Sequence, residues 1–306
     1  MAAILDKVKT GVQPGGRPPG AVELSPQGAL AAALPATGQP VYAFAPLPAE
    51  ALAPGIEHAN LRAPQAVAEA IRSALDQVSP RSRSVTLVIP DTTVRVFVLD
   101  FDALSARAAE AIPVLRFRLR KMVPFDVEHA GISYQILSQT RSECRALTAV
   151  MPGPILAEYE GAVRAAGYEP GAVLPSSLAA LEMADSVESV LAAHLSDSAI
   201  TTLIATGHDL LLYRTLDLPA DPADRPAEIR RSIAVAAAYY EDKLGAPPRA
   251  LHYAGNRDAR EFASWVDDSG LAVMALSSAP ASGMLTPLGH ESIAAVTGAL
   301  QAGARP

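Results

Sequence analysis

The run Ser84-Val85-Thr86-Leu87-Val88-Ile89-Pro90-Asp91-Thr92-Thr93-Val94-Arg95-Val96-Phe97-Val98-Leu99 carries the strongest strand pattern in the chain. Two apolar, β-branched runs flank a Pro-Asp-Thr-Thr break. That pattern predicts a β-hairpin over 85–101. A helix is expected from Ser105, a natural N-cap, to Val123, with Pro113 as its kink or its true start. Val123-Pro124 should stop it, because the residue before a proline avoids the helical region. Ile132 to Leu137 and Cys144 to Met151 read as further strands. No other part of the chain is as dense in strand and turn signals.

Upstream, Ile4 to Val12 reads as a short amphipathic helix. Ala21 to Leu24 and Val41 to Ala45 are short strand candidates, Ala29 to Leu34 between them is a strand or a helix start, and proline- and glycine-containing turns separate them. Ala63 to Val78 is a helix, since Val67, Ala70, Ile71, Ala74, Leu75 and Val78 recur on one face. Downstream, a helix from Gly153 ends at Gly167, a natural C-cap, and another runs from Ser176 to Val190. Ile200 to Ala205 and Leu210 to Leu216 form a hairpin around Gly207-His208-Asp209. The helix Ala227 to Leu244 stops at Gly245, and strand Ala250 to Ala254 leads into Gly255-Asn256. Arg257 to Ser269 (helix), Leu271 to Leu276 (strand) and His290 to Ala302 (helix) complete the chain. Strands followed by helices, twice over, argue for an α/β protein of two related halves, although no residue-level repeat joins them.

With 306 residues, half of them apolar and 19% charged, the chain can bury two sizeable cores. Aromatics are only 5%, so those cores must be built from small aliphatic side chains. A formal net charge of −7 argues against a nucleic-acid binder. The single cysteine, Cys144, excludes an intrachain disulfide, fits a reducing compartment, and reads as a small buried hydrophobe. Neither a signal peptide nor a membrane-spanning run is evident, so a cytoplasmic protein is expected, touching a membrane only through a partner.

Catalytic chemistry is poorly represented. The six histidines (His58, His129, His194, His208, His252 and His290) show no metal-ligand spacing, so no metal site is expected. His252, in an apolar strand, reads as a hydrogen-bonded core or cleft residue. Asp267-Asp268 and Glu241-Asp242 are sequence neighbours, which diverge on a helix and make poor acid/base dyads. Walker A, dinucleotide and nucleophile-elbow motifs are absent, and no catalytic residue is assigned. Tyr239-Tyr240 reads either as cleft lining or as one core and one rim tyrosine. The basic run Arg116, Arg118, Arg120, Lys121 reads as a solvated helical face, its stems packed over apolar neighbours, in preference to a headgroup-binding patch.

The order of these elements carries a family resemblance. It comprises the 85–101 strands with their proline turn, the helix ending at Val123-Pro124-Phe125, the strand with Tyr134, and the strand Leu147 to Val150. Ala166-Gly167-Tyr168-Glu169-Pro170 and Leu178-Ala179-Ala180-Leu181 follow, then Glu228-Ile229-Arg230-Arg231-Ser232 and Tyr239-Tyr240 through Gly255. Over about 84–255 the chain resembles PilM, the actin-like cytoplasmic protein of type IV pilus assembly. The resemblance implies an actin-like (ribonuclease H-like) α/β fold of two lobes, residues 1–195 and 196–306, with an α+β subdomain inserted at about 84–152. It implies a scaffold of the pilus inner-membrane alignment and platform complex. That scaffold would sit peripherally on the cytoplasmic face of the inner membrane and bind an N-terminal peptide of a PilN-like bitopic protein. It also implies possible self-association into a ring and contact with motor or platform proteins. Within a groove between first lobe and insert, Val94, Val96 and Phe97 are the candidate partner-binding residues, with Leu87 and Ile89 in the core.

The same resemblance implies an ATP/Mg cleft built on glycine-rich turns, whose amides approach the phosphates. The matching positions here are Ser25 and Gly28, Thr206 and Gly207, and Gly255 and Asn256. Each departs from the expected pattern. Pro26 removes an amide donor and no Asp accompanies it, Asp209 is offset, and one glycine of a pair is missing at 255–256. The expectation is a pseudo-ATPase with no cofactor. A nucleotide-binding actin-like ATPase and the cytoplasmic domain of a type II secretion L-type protein remain as alternatives.

Overall fold

The computed structural model describes residues 17–36, 38–184, 188–207, 209–276 and 292–301. The expected helix at 4–12 and His208 lie outside them. The first lobe opens with three short antiparallel strands, β1 (Gly20–Ser25), β2 (Gly28–Ala33) and β3 (Val41–Pro46). Helix α1 (Pro64–Val78) buries the face given by its apolar spacing, from Val67 to Val78. It leads to β4 (Ser84–Ile89), which lies parallel to β1. After the insert and helix α3 (Gly153–Ala165), β8 (Glu169–Pro175) adds parallel to β4. Sheet order is therefore β3-β2-β1-β4-β8. The insert is a separate sheet of β5 (Arg95–Phe101), β6 (Gly131–Gln139) and β7 (Cys144–Met151) in the order β5-β7-β6. Helix α2 (Ala108–Leu119) packs Ala111, Leu115 and Leu119 into its core beside Cys144.

The second lobe repeats the first. β9 (Val190–Leu195), β10 (Ala199–Thr206) and β11 (Asp209–Asp217) are antiparallel. Helix α5 (Arg225–Leu244) connects them to β12 (Ala250–Gly255), parallel to β9. Helix α6 (Ala259–Trp265) then leads to β13 (Ala272–Ala275), parallel to β12. Sheet order is β11-β10-β9-β12-β13, the topology of the first lobe strand for strand.

Three expectations are corrected. The 85–101 runs do not form a hairpin. β4 is an interior strand of the first-lobe sheet, apolar on both faces as a buried parallel strand must be, while β5 starts the insert. A single 3-10 turn, Asp91–Thr93, carries the chain from one sheet to the other, so the insert begins at Arg95, not Ser84. The helix expected over 176–190 ends at Leu181 as α4 (Ser176–Leu181), and Val190–Leu195 is strand β9, so the second sheet begins ahead of the expected boundary at 196. Finally, α7 (Ala294–Gln301) returns to the first lobe and packs on α4, β1 and β2. Ala192, Leu203, Leu210 and Ala254 continue the first-lobe core into the second lobe.

The α4–α7 contact depends on Gly298, where a Cβ would meet the Ala179 carbonyl oxygen at 1.9 Å. Glycine to alanine inside a helix ordinarily stabilises by about 1 kcal/mol. Here Gly298→Ala is expected to destabilise by ~1–3 kcal/mol through overpacking, read as a lower urea midpoint.

Candidate functional site

The duplicated topology fixes where the two lobes face each other. The β1–β2 turn (25–28) and the β9–β10 turn (195–199) are counterparts, and so are the ends of β4 and β12. All four meet at one cavity of about 70 Å³, whose walls include Glu23, Ser25, Gln27, Asp91, Asp197 and Asn256. That is room for a handful of waters.

Asp91 dominates this cavity. It follows β4 and is 5% exposed. Its Oδ1 accepts from the Ser177 amide at 3.1 Å and the Ser177 hydroxyl at 2.8 Å. The Tyr213 hydroxyl donates to the same oxygen at 3.3 Å. On Oδ2, the Thr201 hydroxyl donates at 3.0 Å, and His194 Nδ1 lies at 3.0 Å. Ser177 belongs to the first lobe, whereas His194, Thr201 and Tyr213 come from β9, β10 and β11 of the second. One carboxylate thus ties two lobes together. Burial alone would raise its pKa, but His194 and the Ser177 donors outweigh burial and hold it below the usual carboxylate value. Burial pushes His194 down, yet the hydrogen bond and charge of Asp91, with Glu23 nearby, leave it above the ordinary imidazole value. Burial raises Glu23 despite the opposing effect of His194 and a bond from Ser176.

A second link crosses the cleft at the paired turns. The Gln27 side-chain amide, on the first lobe, donates to the Asp197 carboxylate of the second. Asn256, which follows β12 as Asp91 follows β4, donates to the other Asp197 oxygen. The Asn256 amide also bonds the Leu195 carbonyl oxygen at 3.1 Å.

The structure brings Ser25, Gly255 and Asn256 together at the cavity wall. Gly28 lies beside it in β2, where a Cβ would meet the Ala45 carbonyl oxygen at 2.4 Å, so its glycine serves strand packing. Thr206 and Gly207 are elsewhere. They end β10 about 25 Å along the strand from the cleft, and the Thr206 hydroxyl accepts from Ser189. The true counterpart of the 25–28 turn is Ser196-Asp197-Ser198. The displacement follows from the missed strand β9, which moved the expected hairpin on by one. Asp91, His194, Asp197 and Gln27 were not singled out by sequence. The available signal was Pro90-Asp91 closing a strand, as Gly255-Asn256 does. His252 lines a different pocket with Tyr240 and Met274, and Tyr240 is buried with its hydroxyl on the Ser189 carbonyl oxygen.

This donor set does not fit a magnesium-bound triphosphate. Pro26 offers no amide, both Asp91 oxygens and the Asp197 carboxylate are already bonded within the protein, and no Lys or Arg lines the cavity among the described residues.

A larger groove of about 270 Å³ lies between first lobe and insert. Its walls are β6 and β8, each an edge strand of its own sheet, with Val94, Ala149 and Leu156 in its floor. Val94 therefore faces this groove. Val96 is buried in the first-lobe core and Phe97 packs on the insert core, on the strand at the opposite edge from β6. Leu87 is buried as expected, and Ile89 both is buried and reaches the groove wall.

This is the actin-like fold, two duplicated lobes around a cleft with an α+β insert in the first. Among solved structures, the PilM–PilN type IV pilus biogenesis complex matches with TM-score 0.70 at 17% identity, over 94% of this chain and 98% of that one. A Bacteroides thetaiotaomicron protein of actin-like ATPase fold matches with TM-score 0.53 at 12% identity, over 94% of this chain and 96% of that one. No family model matches the sequence, and neither does any curated protein.

Asp91→Ala should destabilise by ~3–5 kcal/mol, because it leaves His194 buried without its carboxylate and removes the acceptor shared by Ser177, Thr201 and Tyr213. The pH dependence follows from the shifts. Asp91 is depressed, so its contribution is present above its unfolded value of 3.8 and is lost as pH falls through the lower folded one. His194 is raised, so its contribution is full below 6.5 and is lost as pH rises through the higher folded value. Glu23, also raised, costs stability as pH rises above 4.5. Unfolding midpoints are expected to be highest in weakly acidic buffer and to decline on the alkaline side. Glu23→Gln should flatten that decline.

Proposed function

We propose that this chain is a cytoplasmic scaffold of a type IV pilus assembly that holds a short extended peptide from a PilN-like membrane partner, without turning over ATP. The observation that carries the reading is the groove between β6 and β8, on a backbone that follows the PilM–PilN complex over nearly its whole length. Both are edge strands with no sheet neighbour on one side, and β8 borders the channel with Gly171, Ala172 and Val173 between two prolines that lack an N–H, a short edge for strand addition by a peptide. With β8 seven residues long, the channel accommodates about six residues of extended chain. Ile132, Leu156 and Val173 offer apolar contacts for alternate side chains. No described helix is long and apolar enough to cross a membrane.

The cleft supports the other half of the proposal. The actin-like fold leaves its interlobe space to a nucleotide, and here protein side chains bridge that space. Asp91 joins the lobes at one level and Gln27–Asp197 at the turns. On this reading the lobes are fixed in one arrangement by internal bonds, and the protein presents a constant surface to its partner. Ring formation by several copies would fit a platform role, with the same groove repeated around it.

Titration calorimetry with the N-terminal cytoplasmic peptides of bitopic inner-membrane pilus proteins is expected to give micromolar binding. Ser133→Trp, which intrudes into the groove, should weaken it by about tenfold or more. Failure of every such peptide to bind the folded protein would sink the scaffold reading. ATP with magnesium is expected to give no heat of binding in the micromolar range, and saturable binding there would overturn the pseudo-ATPase part alone.

A further inference from the structure

We infer, against the solvated-face reading of its basic run and on the exposure of Phe117, that the outward face of α2 is a docking surface for an anionic lipid bilayer. The helix has two apolar faces. One, formed by Ala111, Leu115 and Leu119, is buried in the insert core. The other points to solvent: Phe117 is 76% exposed, Val114 is 45% exposed one turn earlier, and Met122, in the turn after the helix, is 39% exposed. Phe117 is the most exposed of the large hydrophobic residues among the described ones. The helix interior therefore does not explain it, and the packing of Leu115 and Leu119 has turned it away from the core.

Charge names the occupant. Arg116, Arg118, Arg120 and Lys121 cluster on and just after the same turn, in a chain whose net charge is −7. Two are committed locally, Arg116 to the Val127 carbonyl oxygen at 2.9 Å and Arg120 to Glu128. Arg118 and Lys121 pair with no acidic group among the described residues, and they flank Phe117 on the exposed side. At physiological salt, fields decay over roughly 8 Å, so an approaching surface feels these four cations, set against Asp126 and Glu128 beside them, more than the rest of the acidic chain. An apolar and aromatic tip ringed by long cationic side chains is the arrangement by which a helix lies at a headgroup boundary. A second copy of this acidic chain could supply counter-charges, but it would also have to bury the aromatic tip in a matching apolar recess. The insert that carries α2 also carries β6 of the peptide groove, so bilayer contact would hold the groove near the membrane. The inference stands on exposure and charge and does not require the peptide reading.

The test is co-sedimentation of the full chain with phosphatidylglycerol–phosphatidylcholine vesicles and with phosphatidylcholine vesicles alone. Binding is expected only to the anionic vesicles and should weaken as salt is raised. Arg118→Gln and Lys121→Gln should each reduce it by roughly fivefold, and Phe117→Ser by about tenfold or more. All three sites are exposed, so the variants should keep the wild-type unfolding midpoint. Equal binding to both vesicle types, no binding to either, or anionic binding unchanged by Phe117→Ser overturns the proposal. If Phe117→Ser instead dissociates a self-associated species in sedimentation velocity while leaving vesicle binding unaltered, the face is an interface between copies and the lipid proposal is wrong. Peptide titration on the same preparations reports the groove separately.

Discussion

A carboxylate placed between two lobes has to be satisfied from both sides, and that requirement at Asp91 shapes much of this protein. Four side chains and one backbone amide converge on it, from α4, β9, β10 and β11. Removing Asp91 itself takes away the acceptor that all of them share, and a buried donor left without one costs more than the bond itself contributes. The result is a specific relative position of the two sheets, reinforced by the apolar seam of Ala192, Leu203, Leu210 and Ala254. Hydrophobic burial holds the lobes together without direction, and the Asp91 network supplies the direction.

The duplication explains why such a network can exist. Each lobe places a short turn and a strand end at the same cleft, so every cleft group has a counterpart opposite. In an actin-like protein that uses a nucleotide, those turns face a ligand. Here Gln27 reaches across to Asp197, and Asn256 meets the same carboxylate. Pro26 and Gly28 then serve the strand turn and the packing against Phe44 and Ala45. The β6–β8 groove and the outer face of α2 lie away from this bonded cleft, each with at least one wall on the insert. This division, a bonded cleft and an available insert, is the physical basis of the scaffold reading.

Much of the fold was legible in sequence wherever one periodicity dominated. α1, α5, β7 and the β10–β11 hairpin lie where apolar spacing and glycine caps placed them. The errors fell where composition is ambiguous. The run from Ser176 to Leu195 is alanine- and leucine-rich, and nothing local separates the six-residue helix α4 from strand β9. Ser84 to Phe101 reads as a hairpin because two β-branched runs flank a turn, and only tertiary pairing sends them to different sheets. The central site was less legible still. Asp91 meets partners 86 to 122 positions away, and no spacing rule connects such residues. Its one local sign, a strand ending in Pro-Asp, gains meaning only beside Gly255-Asn256 in the other lobe. For α2, the sequence shows its charges but not which way Phe117 turns.

The most direct test of the account is amide hydrogen exchange of the full chain, alone, with magnesium ATP, and with the N-terminal peptide of its candidate membrane partner. The account predicts that peptide slows exchange along β6 and β8, while ATP leaves the 25–28, 195–199 and 255–256 amides unchanged. ATP-dependent protection at those cleft amides, with no peptide effect at β6 and β8, would contradict it.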